Sequence, residues 1–314
     1  MAPRRRGKGH IVEELIPRTV YGPLDGRNFE YAWQGAYLEA VLLSDVGLKR
    51  KKNEDSCLLC APEAAQVAGK RGYLFAVADG MGGATAGEYA SRMALLVLAR
   101  TYFEGKGPNI ASNLRSAVEH ANGRVFEEAE VNPVYSGMGT TVSSVVFHGN
   151  WAYVVQVGDS RVYLLREGAG LHQITNDHSL VAEQVRNGII TEEEARNHSL
   201  RNLITRAVGI KERVKADSFC VQVKRDDTLL ICSDGLSNLV SDQAIEETLS
   251  GRGLRDGTRR LIKQAIAGGG TDNITALSVR VAEEPPETEW QEGADKVVDV
   301  MPRTIIGRIR NLFS

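Results

Sequence analysis

Residues 74–91, LFAVADGMGGATAGEYAS, join a predicted strand to a predicted helix and place a single acid at the junction. The apolar run 74–78 predicts a buried strand, Asp79 follows it, and a helical pattern begins at Ala84. Between them stand three glycines, Gly80, Gly82 and Gly83. Glycine lets backbone approach a ligand closely, as in phosphate-binding loops and metal sites. Because the Lys-Ser/Thr pair of a phosphate-binding loop is missing, the stretch favours a metal-ligand acid at Asp79.

Further aspartates stand at predicted strand boundaries in the same way. They are Asp55, Asp159, Asp234 and Asp272. A lone aspartate in a turn usually bonds its own backbone, but strand ends that pack together bring their side chains into one cleft. Carboxylates crowded there repel each other unless a cation neutralises them. Since hard oxygen ligands select Mg²⁺ or Mn²⁺ over zinc, the acids predict a site for such a cation.

The order of the predicted elements indicates an α+β fold. Apolar, β-branched runs predict strands over 56–59, 73–78, 141–147, 151–157, 161–165, 228–232 and 274–281. Helical periodicity predicts helices over 84–102, 110–131, 180–187, 191–197, 242–249 and 254–267. The turn Gly158-Asp159-Ser160 predicts a hairpin between its two flanking strands. Tight turns between strands, with two long consecutive helices among them, favour antiparallel sheets over a doubly wound fold.

Composition places the chain among ordinary globular proteins. Its 314 residues are 42% hydrophobic and 25% charged, with a formal net charge of −2. No overall basic excess indicates nucleic-acid binding, and no apolar run is long enough to predict a transmembrane helix. The basic amino terminus lacks the apolar stretch of a secretory signal, so we expect a cytoplasmic location. We expect buried free thiols at the four cysteines, Cys57, Cys60, Cys220 and Cys232.

The pattern along the chain predicts one folded domain with appendages at both ends. We expect a basic, flexible amino-terminal tail over residues 1–36, the folded domain over 37–282, and an acidic linker over 283–300. The last segment, 301–314, predicts a short amphipathic tail with Ile305, Ile309 and Leu312 on one helical face. This tail could dock on its own domain, hold a partner protein or contact an anionic membrane surface.

Eight segments carry a resemblance to a known family. They are DVGLKRKKNEDS (45–56), VADGMGGATAGEYAS (77–91), GTTVSSVVF (139–147), VVQVGDSRVYLLREG (154–168), ITNDHSLVAEQVRNGIIT (174–191), LITRAVG (203–209), LLICSDGLSNLVSD (229–242) and GGTDNITALSV (269–279). In this order they resemble the metal-dependent type 2C serine/threonine protein phosphatases, above all the bacterial branch. The resemblance covers residues 37–282. It implies a β-sandwich of two antiparallel sheets, flanked by helices on both faces, with a binuclear Mn²⁺/Mg²⁺ centre at one end.

The resemblance also implies roles for particular residues. Asp55, Asp79, Asp234 and Asp272 match the carboxylates of the metal centre, with Asp79 bridging both ions. The Gly80 carbonyl matches a further ligand, and Asp159 matches the acid that, with Asp234, holds a third, weaker metal in bacterial members. Such a centre can lower the pKa of a shared water and present hydroxide to a phosphoester.

The residues around the metal ligands have implied roles as well. Arg50 resembles the arginine that clamps the substrate phosphate, and Glu54 resembles the acid that holds metal-bound water. Residues 174–209 match the segment beside the active site that is called the flap segment below. Animal members have a histidine after the Asp-Gly pair, where this chain has Met81. His178 could replace it as the leaving-group acid, although a structural role in the flap segment is the better interpretation.

The implied activity is hydrolysis of phosphoserine and phosphothreonine in proteins, reversing a bacterial Ser/Thr kinase. The expected partners are therefore phosphorylated proteins, such as a cognate kinase or its targets, and we expect a monomer. One alternative is a catalytically weak or inactive binding module, but such a module would be expected to lose metal aspartates that are present here. Another is a two-metal nuclease, against which the lack of aromatic–basic interleaving argues.

Overall fold

The computed structural model describes residues 18–107, 109–251 and 253–301. The strands are β1 Arg18–Gly22, β2 Phe29–Gln34, β3 Leu38–Asp45, β4 Ser56–Ala61, β5 Tyr73–Ala78, β6 Gly80–Met81, β7 Gly139–Thr140, β8 Val142–His148, β9 Trp151–Val157, β10 Arg161–Arg166, β11 Gly170–Gln173, β12 Asp217–Gln222, β13 Thr228–Cys232, β14 Ile274–Val281 and β15 Lys296–Val298. The helices are α1 Ala65–Arg71, α2 Ala84–Glu104, α3 Ile110–Val131, α4 Leu180–Arg186, α5 Glu192–Arg196, α6 Asp234–Ser237, α7 Asp242–Ser250 and α8 Leu254–Ala267, with a 3₁₀ turn at Pro133–Tyr135.

Two sheets stack face to face, and both are built largely from antiparallel pairs. The seven-stranded sheet has the order β1-β4-β5-β8-β9-β12-β15, and the six-stranded sheet has the order β11-β10-β13-β14-β3-β2. The short strands β6 and β7 form a separate ribbon. The single parallel pair among the described strands is β12 with β15. The predicted α+β sandwich is confirmed.

Apolar side chains fill three layers. One lies between the two sheets, one between the seven-stranded sheet and helices α2 and α3, and one between the six-stranded sheet and helices α7 and α8. Central strands are therefore buried on both faces, which explains why they read as continuous apolar runs. On β4, Cys57 belongs to the layer between the sheets and Cys60 to the layer under α2 and α3. The prediction of buried free cysteines is confirmed.

The expected start of the folded domain near residue 37 is wrong. Strand β1 pairs with β4 in the seven-stranded sheet, and β2 pairs with β3 at the edge of the six-stranded sheet. On β2, Phe29, Tyr31 and Trp33 pack against the layer between the sheets, while the residues between them are exposed. This alternation is typical of an edge strand, but the glycines and prolines around it resemble a tail.

The expected linker over 283–300 is also wrong in part. Strand β15 extends the seven-stranded sheet beside β12, and Asp295 forms an ion pair with Arg115 of α3 at 2.8 Å. A strand of three residues leaves no periodic pattern in the sequence, because its pairing comes entirely from the edge it joins. The predicted helical face in the tail after residue 301 lies outside the described residues.

The predicted hairpin at residues 158–160 is wrong, and the difference matters for the site. Strand β9 pairs with β8 and β12, whereas β10 pairs with β11 and β13 of the other sheet. The turn therefore carries the chain from one sheet to the other at one end of the sandwich. Both strands are apolar on both faces, so local pattern could not reveal which neighbours each would find. The crossover places Asp159 at the junction of the two sheets.

Within the described residues, no helix is both long and apolar enough to span a bilayer.

The aromatic contact between the sheets gives a test of the core. Phe75 and Phe147 are fully buried and meet edge to face, with ring centroids 5.6 Å apart. We expect Phe75→Ala to lower the free energy of unfolding by about 3–5 kcal/mol, because the cavity cannot close between two packed sheets. Val131→Ala, at a side chain 76% exposed on α3, should change it by less than about 0.5 kcal/mol. Urea unfolding measures both, and equal effects would contradict the assigned core.

Candidate metal centre

Antiparallel pairing brings the predicted acids to one end of the sandwich. Strands β4 and β5 align Ser56 with Ala78, so Asp55 just before β4 lies beside Asp79 just after β5. On the other sheet, β13 and β14 align Cys232 with Ala276. This register sets Asp234, just after β13, near Asp272, just before β14. The start of one strand thus meets the end of its neighbour twice, once in each sheet.

Asp55 is deeply buried, and only one of its two carboxylate oxygens has hydrogen-bond partners. The hydroxyls of Ser233 and Thr275 each donate to its Oδ2 at 2.7 Å. Its Oδ1 is buried and has no hydrogen-bond partner. Burial raises the pKa of this carboxyl to about 7, with the charges of Asp272 and Asp234 adding to the shift. An unsatisfied buried carboxylate oxygen is costly, and a bound cation would satisfy it.

Asp79 is held by its backbone, while its carboxylate faces other acids. The Asp79 amide donates to the Thr141 hydroxyl at 2.9 Å, and the Thr140 hydroxyl donates to the Asp79 carbonyl at 2.8 Å. Burial raises the pKa of Asp79 well above its usual value. The further causes of this shift are the charges of Asp55, Asp234, Asp159 and Asp272. The structure therefore brings together all five aspartates that the sequence singled out.

Asp159 and Asp234 form the part of the cluster nearest the crossover turn. Burial raises the pKa of Asp159 to about 8, and the charge of Asp234 is the next cause. Burial also raises the pKa of Asp234, followed by the charge of Asp272. The side-chain amide of Asn238, the residue after α6, donates to Asp234 Oδ2 at 3.0 Å and orients this carboxylate.

Arg50 and Glu54 lie at the rim of the acid cluster. Arg50 Nη2 donates to Asp272 Oδ2 at 2.8 Å, and Nη1 lies 3.8 Å from Glu54 Oε1. The Arg50 side chain is 47% exposed, so its guanidinium touches the acids from the solvent side. Burial raises the pKa of Glu54, and the charge of Arg50 opposes that shift. A permanently charged, planar guanidinium in this place is suited to binding phosphoryl oxygens.

Sequence reasoning missed the polar residues that support the acids. Asn273 Oδ1 accepts from the Glu54 amide at 2.8 Å, and its Nδ2 donates to the carbonyls of Val46 and Lys52 at 2.9 Å. Together with the hydroxyls bound to Asp55 and Asp79, this amide fixes the loops on which the acids stand. The available signal was the presence of polar residues at the ends of otherwise apolar strands, as in the segment TDNIT at 271–275.

Two glycines beside the acids are required by close backbone contacts. A Cβ at Gly80 would lie 2.2 Å from the Gly87 carbonyl oxygen and 2.5 Å from that of Glu54. A Cβ at Gly235 would lie 2.0 Å from the Asn273 carbonyl oxygen. The glycine that follows each of these two aspartates therefore lets neighbouring loops close around the cluster.

The residues fit a divalent cation of the Mg²⁺ or Mn²⁺ type. The part of the chain that the structure describes contains no group of three His, Cys, Asp or Glu side chains placed to hold one ion by themselves. A structural zinc site needs a closed set of four such ligands. Mg²⁺ instead keeps several waters and takes one or two carboxylates. An open cluster of all-oxygen donors, with the orphaned Oδ1 of Asp55 among them, suits the second kind of ion.

His178 is not placed to protonate a leaving group. Its side chain is fully buried. The Gly158 amide donates to its Nδ1 at 3.1 Å, and its Nε2 lies 3.1 Å from Asp217 Oδ2. Both ring nitrogens are therefore engaged within the protein. Of the two interpretations from the sequence, the geometry favours a structural role in the flap segment.

A comparison with protein families identifies the family of this chain. The sequence profile described as Protein phosphatase 2C matches residues 50–264, and the chain belongs to this family.

Bacterial serine/threonine phosphatases are among its relatives. PstP of Mycobacterium tuberculosis is 41% identical over 240 residues, which cover 76% of this chain and 44% of PstP. The chain thus matches less than half of the length of that relative. PhpP of Streptococcus pneumoniae is 35% identical over 255 residues, covering 80% of this chain and 100% of PhpP. A solved catalytic domain of PstP in complex with two manganese ions superposes with a TM-score of 0.68 at 38% identity, covering 78% of this chain and 99% of that domain.

The raised pKa values predict how pH affects the protein without bound cations. A carboxyl whose pKa is higher in the folded than in the unfolded state stabilises the fold while it is protonated and loses that contribution as pH rises. Because the folded pKa is about 7 for Asp55 and about 8 for Asp159, and an unperturbed aspartate has a pKa of about 4, the free energy of unfolding should fall as pH rises from about 4 to about 8.

Asp159→Asn should make that fall smaller by up to about 5 kcal/mol, since an amide does not ionise. Chemical denaturation in EDTA across this pH range measures the difference. Asp226→Asn, at an exposed turn, is the matched control and should leave the pH profile unchanged. An unchanged profile for Asp159→Asn would contradict the assigned electrostatics.

Proposed function

We propose that this protein is a Mn²⁺- or Mg²⁺-dependent phosphatase that hydrolyses phosphoserine and phosphothreonine in proteins. The observation that carries the proposal is the cluster of buried and partly buried aspartates with a half-exposed arginine at its rim. Mutual repulsion makes the cluster a cation site, and Arg50 gives it a partner for a phosphate. Family membership and the named activity of PstP support the same reaction.

The proposed ligands are those that match the family by position. Asp55, Asp79, Asp234 and Asp272 would hold two ions, with Asp79 between them and the Gly80 carbonyl as a further ligand. The two manganese ions in the PstP catalytic domain support this count. Asp159, with Asp234, would hold a third and weaker ion. When bound, the ions supply Lewis acidity and an activated water.

The remaining residues would bind and orient the substrate. Arg50 already lies between the acids and solvent, so its guanidinium can exchange the Asp272 carboxylate for phosphoryl oxygens. Glu54 is buried beside Arg50 and would orient water within the centre through its carboxylate. Met81 offers no proton, so the leaving oxygen would take one from water.

The proposed substrates are defined by the phosphorylated residue that they carry. Phosphorylated Ser/Thr proteins, such as a cognate kinase or the targets of that kinase, are the proposed partners, because the relatives are named serine/threonine or protein phosphatases. A cytoplasmic location and a monomeric state stay predictions from the sequence.

A catalytically weak or inactive phosphatase-fold module is the alternative function. Every aspartate of the proposed centre is present, and the polar groups that support them are in place. The two functions differ in metal-dependent release of phosphate from p-nitrophenyl phosphate, which the active enzyme produces and the module does not.

The first functional prediction concerns the metal. Turnover of a phosphothreonine peptide and of p-nitrophenyl phosphate should require added Mn²⁺ or Mg²⁺ and disappear in EDTA. Asp79→Ala should lower kcat at least about 100-fold, because it removes a proposed bridging ligand. The same variant should fold normally without metal, since losing one acid relieves repulsion.

Asp256→Ala, at an exposed acid in the first turn of α8, is the control and should keep its kcat. Circular dichroism and a metal titration complete the comparison. Full turnover of the wild type after rigorous chelation would refute the metal requirement.

The second functional prediction concerns Arg50. Arg50→Ala should raise KM about tenfold, with a smaller loss of kcat, because a charge-assisted bidentate contact to phosphate is lost. Arg50→Lys should recover only part of this effect, since a point charge lacks the planar fork.

Steady-state kinetics at saturating Mn²⁺ test this, with Arg100→Ala on α2 as the control for removal of an exposed arginine. If Arg50→Ala altered only the Mn²⁺ concentration needed for activity, its assignment to phosphate would be wrong.

A further inference from the structure

His178 stands where the flap segment leaves the sheets. Its ring is fully buried, and its hydrogen bonds define one tautomer. The Gly158 amide donates to Nδ1, so this nitrogen carries no proton, and Nε2–H donates to Asp217 Oδ2. The backbone repeats the first contact, because the His178 amide donates to the Gly158 carbonyl at 2.9 Å. His178 thus forms two hydrogen bonds with Gly158, the residue that precedes Asp159 in the crossover turn.

Asp217 connects the same ring to the far end of the flap segment. As the first residue of β12, it accepts from Arg206 Nη1 at 2.7 Å through its other oxygen. The hydrogen bonds from His178 and Arg206 lower the pKa of Asp217 to about 2, against the effect of burial. One carboxylate therefore joins His178 near the start of the flap segment to Arg206 near its end.

Both ends of the flap segment are also tied to acid-bearing turns. Near its start, Asp177 pairs with Arg161 at 2.7 Å, and Arg161 begins β10 two residues after Asp159. Near its end, the Val208 amide donates to the Thr140 carbonyl at 2.8 Å, and the Thr140 hydroxyl holds the Asp79 carbonyl. Among these links, only the ring of His178 makes both kinds of contact. It bonds Gly158 in the turn that carries Asp159, and it bonds Asp217, which also pairs with Arg206.

We propose that His178 is a positioning residue, which holds the flap segment in a fixed relation to the turn carrying Asp159. The inference rests on the proposed function in one respect, namely that the flap segment and Asp159 serve the phosphatase reaction. The ring does not touch the reacting atoms. It acts through Gly158 on the Asp159 turn and through Asp217 on Arg206 near the far end of the flap segment.

Two substitutions separate the two contacts of the ring. In His178→Asn the amide oxygen lies near the position of Nδ1, so it can accept from Gly158 but cannot reach Asp217. In His178→Gln the amide reaches Asp217, while the Gly158 amide loses its acceptor. Since Arg161 and Asp177 still hold the chain nearby, we expect both variants to fold.

The two variants should fail in different ways. His178→Gln should speed hydrogen exchange at the Gly158 amide about tenfold in EDTA and raise the Mn²⁺ concentration for half-maximal activity about tenfold. His178→Asn should keep Gly158 exchange near the wild-type rate. It should raise KM for a phosphothreonine peptide about fivefold, with kcat and the turnover of p-nitrophenyl phosphate changed less than about twofold.

His148 provides the matched control. It is also buried, and its Nε2 bonds the Gly69 carbonyl at 2.9 Å, but it ends β8 at the opposite end of the sandwich from the acids. His148→Gln should lower Tm without changing KM, metal dependence or Gly158 exchange. If both His178 variants behaved like His148→Gln, the ring would have a purely structural role and the proposal would be overturned.

Two further measurements keep the outcome decisive. If neither His178 variant folds, Arg206→Gln removes the second partner of Asp217, at a side chain that is one-third exposed. It should then give the KM rise expected of His178→Asn, and an unchanged KM would count against the proposal. If the wild type hydrolyses no phosphoester, the proposed function fails, whereas Gly158 exchange in EDTA still decides whether His178 holds the turn.

Discussion

Repulsion among buried carboxylates is the constraint on which the structure of this protein depends. Desolvation opposes the charged forms of four aspartates, Asp55, Asp79, Asp159 and Asp234. The negative charges of neighbouring acids raise the pKa of each of them further. A fold gathers such groups only if the surrounding packing is strong enough to hold them or a cation neutralises them. Here three apolar layers supply the first condition, and the all-oxygen donor set is suited to the second.

The sandwich turns that constraint into a defined geometry. Antiparallel neighbours set the start of one strand beside the end of the next, so acids that are far apart in sequence become adjacent in each sheet. The crossover at residues 158–160 adds an acid from the junction between the sheets. Polar groups at the strand ends, such as Thr141 and Asn273, then fix the loops, and glycines after Asp79 and Asp234 let those loops approach.

The chemistry proposed for the site follows from the contrast between its interior and its rim. Inside, anionic oxygens compete for too few hydrogen-bond donors, as Asp55 Oδ1 illustrates. At the rim, Arg50 brings a cation that is always charged and still half exposed. Cations bound among the acids would neutralise the carboxylates. A phosphate bound by the arginine would then add negative charge that balances the cations. The flap segment is tied to the turns that carry two of these acids, by His178 at one end and by the Val208–Thr140 contact at the other.

The sequence by itself determined the α+β class, the long helices, most central strands and the set of acids, because each rests on local periodicity or on a residue type beside a strand end. It also gave correct bounds for elements as long as α3 and β14. Only the tertiary structure decided that β9 and β10 belong to different sheets, that β1 and β2 extend the fold, and that β15 covers the edge at β12. Each of these depends on pairing between segments distant in the chain, where apolar residues on both faces leave several partners equally acceptable locally. The same holds for His178, whose ring was ambiguous until the fold placed Gly158 and Asp217 on either side of it.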